Sequence, residues 1–253
     1  MVVSNLKGGL GNYLFQIAAG YSLALDEGVV FKIDLSKIRV VHSHWDLYMS
    51  NFFRNVEKSN GLSDLNNYRY ESLTYKPIPY VKDCLIDGYY QSEKYFSNNE
   101  KEIKELFEID NESYQYINNK YIDILTSENT CSIHVRRGDF LKIPFYNKLD
   151  MDYYNKAIDE MGRDKKFIIF SNDISWCKSN FCSINATFIE QEHDYIDMYL
   201  MSLCKNNITS NSTFSWWGSY LNLNKNKKVI TPNVWFVSSH SNEDLTPKCW
   251  IKI

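Results

Sequence analysis

The sequence predicts an α/β protein with parallel β-sheets wound by helices, arranged as two half-chains. In the second half, short apolar strands alternate with amphipathic helices, as the crossover connections between parallel strands require. The first half opens in the same way, with Val2-Val3 followed by a glycine loop and a helical stretch. A polar segment, residues 126–130, separates the halves. We therefore expect an N-terminal domain over residues 1–128 and a C-terminal domain over residues 129–253.

The individual elements follow from hydrophobic periodicity and turn residues. In the second half we expect strands at Cys131–Val135, Phe167–Phe170, Ala186–Ile189, Asn207–Thr209 and, as the last strand, Lys228–Ile230; we expect helices at Asp152–Met161, Ile174–Lys178, Tyr195–Cys204 and Phe214–Leu221. In the first half we expect strands at Val2-Val3 and Val29–Ile33, helices at Tyr13–Asp26, Glu100–Phe107 and Tyr114–Leu125, and a loop at Tyr75–Tyr80. Gly28 should end the first helix, and residues 42–67 show no clear pattern.

Composition excludes several functional classes. The chain has 253 residues and a formal net charge of -3, with a pI near 6.0, so it lacks the basic surplus of a nucleic-acid-binding protein. No apolar run approaches the roughly 20 residues that cross a bilayer. The six cysteines form no CxxC pair and no metal-ligand spacing, which predicts reduced, mostly buried thiols. We expect a cytoplasmic protein or one peripheral to a membrane, and the oligomeric state stays open.

Polar residues follow every predicted strand of the second half. They are Arg136-Arg137-Gly138-Asp139, Ser171-Asn172-Asp173, Glu190–Asp194, Ser210–Thr213 and Thr231-Pro232-Asn233. Each cluster alone is ordinary turn chemistry. In a wound parallel sheet, however, ligands bind beyond the carboxyl ends of the strands. The convergence of these clusters on one edge therefore predicts a binding site there.

The arginine pair indicates the chemistry of the ligand. Guanidinium groups stay charged and capture phosphate oxygens bidentately, so two of them at the end of a strand suggest a diphosphate. A solvated surface pair is the alternative. Three hydroxyl side chains lie at the start of a predicted helix and could contact phosphate: Ser212, Thr213 and Ser215. The free N–H groups of that helix start also attract anions. For these residues the alternative is a simple N-cap, worth about 1 kcal/mol.

Two other motifs point to weaker hypotheses. Gly9 and Gly11 form a G-x-G before a helix, but Leu14 stands where the dinucleotide fingerprint has its third glycine. Asn12 is the polar tip of this loop. Asp150-Met151-Asp152 matches the Asp-x-Asp of metal-dependent sugar transfer, yet it begins a helix, so capping explains it better.

Five blocks of the sequence resemble motifs of the alpha-1,2-fucosyltransferases of glycosyltransferase family 11. They are Gly8–Gln16, Asp87–Phe96, His134–Asp139, Phe170–Asp173 and Ile208–Trp217. The blocks keep the order that they have in that family and span nearly the whole chain.

The resemblance implies a GT-B architecture, in which two Rossmann-like domains with parallel sheets face a cleft. It implies a C-terminal domain that binds GDP-fucose and an N-terminal domain that shapes the acceptor site. The implied reaction is an inverting, metal-independent transfer of fucose to the 2-hydroxyl of a terminal galactose in a glycan. GDP-fucose and the glycan would be the partners, with no cofactor and no metal.

The motifs also carry expectations for individual residues. The resemblance implies that Arg136 and Arg137 bind the diphosphate, that Ser212, Thr213 and Ser215 contact phosphate, and that Asn12 lies near the sugar. His134, Asn172, Asp173 and Asn211 stand in the same motifs and are expected donor contacts. Arg136 and Asp139 are the expected catalytic residues.

The general base stays open among Asp139, His134, Asp173 and Asp194. Asp139 could equally hold an arginine in place through an ion pair. Tyr13 departs from the family pattern, which has glutamine there, and puts the acceptor contacts of that loop in doubt. We expect the segment His42–Tyr80 to be where acceptor choice differs between relatives.

Two alternative functions remain from the sequence. The first alternative is a GDP-fucose-dependent transferase that forms another linkage, because the phosphate motifs specify the donor substrate more than the acceptor. The second is a non-catalytic module that binds a nucleotide sugar or a glycan. The arginine pair and the hydroxyl block argue against this second reading, because a lectin needs no diphosphate site.

Overall fold

Two parallel β-sheets form the framework of the chain. The computed structural model describes residues 1–35, 38, 45–59, 65–237 and 243–253. The chain divides into two compact units, the first comprising Met1–Asp110 with Glu243–Pro247 and the second Asn111–Asn242 with Lys248–Ile253. Each unit carries one of the sheets. The predicted α/β class with parallel sheets is confirmed.

The described residues of the first unit form a five-stranded sheet with helices. The strands are β1 (Val2–Asn5), β2 (Phe31–Asp34), β3 (Lys58–Ser59), β4 (Asn66–Tyr70) and β5 (Cys84–Gly88); the helices are α1 (Leu10–Asp26), α2 (Trp45–Ser50) and α3 (Glu100–Leu106), with 3₁₀ turns at Glu93–Tyr95 and Ser97–Asn99. The strand order is β3-β2-β1-β5-β4, and every pairing is parallel. The loops after β1 and β5 therefore open side by side at the carboxyl edge.

The first helix ends at the glycine that the sequence predicts. Gly28 has φ +61°, in the left-handed region that glycine adopts without a steric penalty. The helix begins at Leu10 rather than Tyr13, because first-turn N–H groups need no intrahelical partner and tolerate residues of low helix propensity. The strand that follows begins at Phe31 rather than Val29.

The second unit contains the alternating elements that the periodicity predicts. Its helices are α4 (Asn111–Leu125), α5 (Met151–Met161), α6 (Ile174–Asn180), α7 (Asp194–Leu203) and α8 (Thr213–Tyr220), with a 3₁₀ turn at Gly138–Lys142. Its strands are β6 (Thr130–Val135), β7 (Lys166–Ser171), β8 (Ala186–Phe188), β9 (Asn206–Ile208), β10 (Val229–Thr231) and β11 (Ile251–Lys252). The expectation that the Lys228–Ile230 strand is the last is wrong, since β11 follows it; two residues are too few for a periodic pattern.

The order of the second sheet fixes where a ligand can bind. It reads β11-β10-β9-β6-β7-β8, and all pairings are parallel. When β6 is numbered as strand 1 and the sheet is followed from β8 to β11, the order becomes 3-2-1-4-5-6. This is the strand order of dinucleotide-binding sheets. The order reverses between β6 and β9, and such sheets bind ligands beyond the carboxyl ends of the strands at that reversal. The polar residues that follow β6 and β9 flank this position.

The central strand of the second sheet is buried along its whole length. All six residues of β6 are buried, as expected for a parallel strand covered on both faces. Ile133 and Ile169 are fully inaccessible, and Tyr154 and Ala157 of α5 belong to the same core. Burying one large apolar side chain stabilises the fold by about 1.5–3 kcal/mol. This core holds the ends of β6 and β7 in a fixed register.

Helix α4 belongs to the second unit, so the division lies before the predicted boundary between residues 128 and 129. One contact that joins α4 to this unit is made by Glu192, whose side chain is only 3% exposed. It accepts hydrogen bonds from Tyr121 Oη (2.6 Å) and Tyr116 Oη (3.0 Å), and it pairs with Lys120. Burial would raise the pKa of Glu192, but the hydrogen bonds from the three α4 side chains lower it on balance. One carboxylate thus ties α4 to the loop after β8.

Several elements of the first unit do not follow from the sequence pattern. Strand β4 is a polar, largely exposed edge strand and shows no apolar alternation. The predicted loop at Tyr75–Tyr80 is confirmed. Within the expected acceptor-choice segment His42–Tyr80, residues 42–44 and 60–64 lie outside the described part of the chain.

Two expectations from composition also find their outcome in the structure. All six cysteines are free thiols; Cys84, Cys131, Cys177 and Cys204 are buried, and Cys182 and Cys249 are exposed. This confirms mostly buried, unpaired thiols. Within the described ranges, no helix is long and apolar enough to cross a membrane.

The Glu192 contacts lead to a stability prediction. Glu192→Gln should lower the free energy of unfolding by about 1–3 kcal/mol at pH 7, because the donors on α4 lose a buried, charged acceptor. Chemical denaturation monitored by circular dichroism measures the change. The matched control is Glu190→Gln on the same loop, where the carboxylate is 46% exposed and pairs with Lys178. That change should stay within about 0.5 kcal/mol.

The effect should also depend on pH. Folding lowers the pKa of Glu192, so its contribution is present above the unfolded value near 4.3 and is lost as the pH falls. The difference in the free energy of unfolding between the wild-type chain and Glu192→Gln should therefore decrease below about pH 4. If Glu192→Gln and Glu190→Gln lowered the free energy of unfolding equally at pH 7, the stabilising role of Glu192 would be contradicted.

Candidate functional site

A buried hydrogen bond connects the carboxyl ends of β6 and β9. His134, the penultimate residue of β6, is 5% exposed, and its Nδ1 lies 2.8 Å from Ser210 Oγ. The imidazole packs on the ring of Phe214 at 5.3 Å between centroids. Tyr154 Oη donates to the backbone oxygen of His134 at 3.3 Å. The histidine therefore fixes the two strand ends relative to each other.

The charge state of His134 follows from this environment. Burial, with a further contribution from the Arg136 guanidinium, lowers its pKa to about 3. The imidazole is therefore neutral at physiological pH and serves as a hydrogen-bonding group. A base with so low a pKa accepts a proton poorly. The burial of the imidazole therefore argues against His134 among the four candidates for the general base.

Arg136 is held by a carboxylate one turn further along the chain. Its Nη2 lies 2.7 Å from Asp139 Oδ1 and 2.9 Å from Oδ2. The guanidinium carbon stands 4.9 Å from the ring centroid of Phe140, within cation–π range. The contact matches the expectation that Asp139 could hold an arginine through an ion pair. It keeps Arg136, which is 32% exposed, at the carboxyl edge.

Arg137 is oriented by residues at the end of β7. Its Nε donates to Asp173 Oδ2 at 3.1 Å, and its guanidinium lies 4.0 Å from the ring centroid of Trp176. The backbone N–H of Arg137 donates to Asn172 Oδ1 at 2.9 Å. Asp173 engages Nε rather than the terminal Nη groups, which carry the fork of donors for an anion. The other carboxylate oxygen of Asp173 caps α6 by accepting from the Trp176 N–H.

Gly138 lets the two loops approach each other. It has φ +55°, a conformation that residues with a β-carbon rarely adopt. A β-carbon at this position would lie 2.6 Å from Asn172 Nδ2. Glycine is therefore needed for both the turn and the contact with Asn172.

The loop after β9 is braced by its own side chains. Ser212 is the N-cap of α8 and accepts from the Phe214 N–H at 3.3 Å. Ser215 Oγ accepts from the Ser210 N–H and donates to the Ser212 oxygen, both at 3.3 Å. Thr213 is half-buried, whereas Ser212 and Ser215 are buried. The capping alternative for Ser212 is confirmed, and phosphate contact by this block stays a prediction.

Asn211 uses its side-chain amide inside the protein. Its Nδ2 donates to the backbone oxygens of Asn147 (2.7 Å) and Trp235 (3.0 Å), and the residue is 2% exposed. The amide therefore anchors the loop after β9 to two neighbouring segments. Its expected direct contact with the donor stays a prediction.

The carboxyl edge of the first unit carries a separate polar group. Asn12 lies in the first turn of α1, and its Oδ1 accepts from Gln91 Nε2 at 2.8 Å. Lys7, at the end of β1, pairs with Asp87 at 2.9 Å and with Glu71 at 3.5 Å. The positive charge of Lys7 is thus compensated by two carboxylates.

Two acidic residues that the sequence analysis considered, Asp194 and Asp150, lie at the starts of helices of the second unit. Asp194 begins α7, beyond the edge strand β8, two strands away from β6. Asp150 is the N-cap of α5 and accepts from the N–H groups of Asp152 and Tyr153, which confirms the capping explanation of Asp150-Met151-Asp152. In the part of the chain that the structure describes, no three His, Cys, Asp or Glu side chains are grouped to hold a metal ion.

Three side-chain contacts of these arrangements are not predicted from the sequence. Ser210 contacts His134, Trp176 stacks on Arg137, and Gln91 bonds Asn12. Ser210 and Gln91 lie inside blocks that resemble family motifs, so position alone could have suggested them. Trp176 carries no such signal, because stacking across two strands is not visible in a linear pattern.

Comparison with known proteins identifies the family. Residues 3–253 match the family described as Glycosyl transferase family 11. The chain belongs to this family. It is therefore a glycosyltransferase, as the motif blocks predict.

Two curated relatives from Escherichia coli match over almost their full lengths. The O-antigen biosynthesis glycosyltransferase WbnK is 31% identical, with 99% of each chain covered. A protein named alpha-1,2-colitosyltransferase is 30% identical, with 100% of this chain and 99% of the relative covered.

A solved structure supports the architecture. The NodZ alpha-1,6-fucosyltransferase from Bradyrhizobium, co-crystallised with GDP, superposes with a TM-score of 0.59 at 14% identity, covering 86% of this chain and 91% of NodZ. At this identity the likeness concerns the fold alone. The GT-B class, with two Rossmann-like parallel sheets, is confirmed.

The environment of His134 generates a titration prediction. The imidazole should stay neutral from pH 8 to pH 5, because burial and Arg136 lower its pKa to about 3. Histidine-selective ¹³C labelling and NMR titration measure this, and the spectrum of His134→Gln assigns the resonance. A titration midpoint near pH 6 for His134 would contradict the buried contact with Ser210.

Proposed function

We propose that this glycosyltransferase transfers fucose from GDP-fucose to the 2-hydroxyl of a terminal galactose in a glycan, with inversion and without a metal ion. The second unit would bind the nucleotide diphosphate, and the first unit would contact a sugar. Membership of glycosyltransferase family 11 supports the reaction class.

One observation carries the proposal. Arg136 and Arg137 follow β6, and the Ser212–Ser215 helix start follows β9, on either side of the strand reversal of a 3-2-1-4-5-6 sheet. This is the position where such sheets bind nucleotides. The His134–Ser210 hydrogen bond joins the two groups. Guanidinium forks, hydroxyls and free helix N–H groups are the donors that a diphosphate requires.

The chemistry follows from where charge develops. The acceptor oxygen attacks the anomeric carbon while the bond to GDP breaks, so negative charge grows on the leaving diphosphate. Arginines already fixed in position stabilise that charge without reorganising during the reaction. Asp139 fixes Arg136, and Asp173 with Trp176 fixes Arg137. We assign Arg136 the principal role, with the start of α8 assisting.

The proton of the acceptor hydroxyl needs a route away. His134 is a poor acceptor at neutral pH, and Asp173 is committed to Arg137 and to the cap of α6. Asp139 is 55% exposed and lies next to Arg136. We propose that Asp139 mainly positions Arg136, and that a loose, oxocarbenium-like transition state demands little general base, so that the hydroxyl proton leaves late and passes to solvent water.

A second donor is suggested by the relative named alpha-1,2-colitosyltransferase. It matches over the whole of this chain, so GDP-colitose is the alternative donor to compare with GDP-fucose. The NodZ likeness, to a protein named as an alpha-1,6-fucosyltransferase, does not specify a linkage here because it concerns the fold alone. The binding-module alternative predicts no GDP release at all.

The overall function is tested with a donor and acceptor panel. We expect GDP release and product formation with GDP-fucose and a β-galactoside, unchanged by EDTA, and an α-1,2 linkage by NMR of the product. Preference for GDP-colitose would reassign the donor. Binding of GDP-fucose without formation of GDP, in the presence of the acceptor, would favour the binding module.

The role of Arg136 gives a mutational prediction. Arg136→Ala should fold normally and slow turnover by about ten- to two-hundredfold, because a charge-assisted hydrogen bond contributes roughly 1.5–3 kcal/mol. Steady-state GDP release measures the rate. The matched control is Arg163→Ala, which removes an exposed arginine paired with Asp159 in the same unit. Near-wild-type turnover in Arg136→Ala would remove the phosphate assignment.

A further inference from the structure

Two side-chain amides meet at the carboxyl edge of the first unit's sheet. Asn12 follows β1 and Gln91 follows β5, and these strands are neighbours. Gln91 Nε2 donates to Asn12 Oδ1 at 2.8 Å. Both residues are half-buried. The amide oxygen of Asn12 is therefore engaged by the protein itself.

A glycine beneath Asn12 restrains the same amide from another side. Gly8 has φ +95°, and a β-carbon there would lie 2.3 Å from Asn12 Nδ2 and 3.1 Å from its Cγ. The amide rests on the Gly8 backbone, in space that only glycine leaves. Gln91 occupies one of the two lone pairs of Oδ1 and fixes which end of the amide carries the N–H donors, so Nδ2–H is the donor that Asn12 can present to a ligand.

The turn that carries Gln91 is strained, and its surroundings enforce the strain. Tyr90 has φ +49°, a region that costs roughly 1–2 kcal/mol for a residue with a β-carbon. Its side chain is 1% exposed and packs on Tyr95 at 5.2 Å between centroids. A β-carbon at Gly88 would lie 2.8 Å from Tyr90 Cζ. The ring thus fits only over a glycine, and the resulting turn directs Gln91 towards Asn12.

We propose that Gln91 is a positioning residue that sets the polarity of Asn12, so that Asn12 offers N–H donors rather than its oxygen to an accepting oxygen of the bound sugar. The inference rests on the proposed function, in which Asn12 contacts a sugar. It adds the direction of the hydrogen bond and the residue that controls it. A neutral amide is suited to an uncharged sugar oxygen, whereas the compensated Lys7 next to it offers no comparable donor fork.

Two substitutions at position 91 separate polarity from packing. A carboxylate only accepts, so Gln91→Glu should turn the Asn12 amide by half a rotation and present its oxygen to the sugar. Gln91→Ala leaves the amide able to take either orientation. We expect kcat/KM to fall about 10- to 100-fold in Gln91→Glu and about 3- to 10-fold in Gln91→Ala, at saturating donor. A purely structural role predicts the reverse order, because glutamate nearly matches the shape of glutamine.

A third substitution tests Asn12 directly. Asn12→Asp keeps the bond from Gln91 but replaces Nδ2–H by an oxygen, so its loss should equal or exceed that of Gln91→Glu. The deficit of Gln91→Glu should narrow towards about pH 4.5, where a protonated carboxyl group can donate again. The charge control is Gln115→Glu, on the exposed face of α4 in the other unit.

Calorimetric titration with GDP separates this role from the proposed function. GDP affinity should stay within about twofold of wild type in all these variants, which also reports on folding. Folded Gln91→Glu with activity equal to or above Gln91→Ala would overturn the inference while leaving the function intact, as would near-wild-type activity in Asn12→Asp. A wild-type chain that binds GDP but transfers no sugar would overturn the proposed function and this role with it.

Discussion

The buried hydrogen bond between His134 and Ser210 is the contact on which the arrangement of the second unit's carboxyl edge depends. It joins β6 to the loop after β9 at the point where the strand order reverses. Phe214 packs on the imidazole, and burial together with the Arg136 guanidinium keeps it neutral. A charged imidazole here would face Arg136 at low dielectric, a repulsion that the fold avoids by burying the neutral form. The same burial makes the histidine a rigid connector rather than a proton carrier.

The two arginines are preorganised at modest electrostatic cost. Each is paired with one carboxylate, and each guanidinium packs on an aromatic ring. An exposed ion pair such as Arg136–Asp139 contributes only about 0–1 kcal/mol, so an anionic ligand can take over its hydrogen bonds easily. Arg137 is more firmly fixed, since Trp176 and Asp173 restrict both its plane and its direction. The pairing therefore orients the cations without saturating them.

The sequence predicted the second sheet well and the first sheet poorly, for physical reasons. Strand β6 is apolar because both of its faces are buried, and such runs are visible in a linear pattern. Strand β4, at an exposed edge, has the composition of a loop, and β11 is too short to show a period. Helix α4 looked separate from the second half because a polar segment follows it. Its partner Glu192 is distant in sequence, and tertiary contacts of that kind leave no local signal.

The carboxyl edges of the two sheets differ in the chemistry of their loop residues. The edge of the second unit gathers guanidinium groups, hydroxyls and the start of α8, all suited to an anion. At the edge of the first unit the cation Lys7 is compensated by Asp87 and Glu71, and the amides of Asn12 and Gln91 are hydrogen-bonded to each other. Diphosphate carries charge and sugars carry hydroxyls, so under the proposed function the second unit's edge would suit the diphosphate and the first unit's edge a sugar. Under the proposed function, the sheet of the second unit would serve charge stabilisation and the sheet of the first unit would serve sugar recognition.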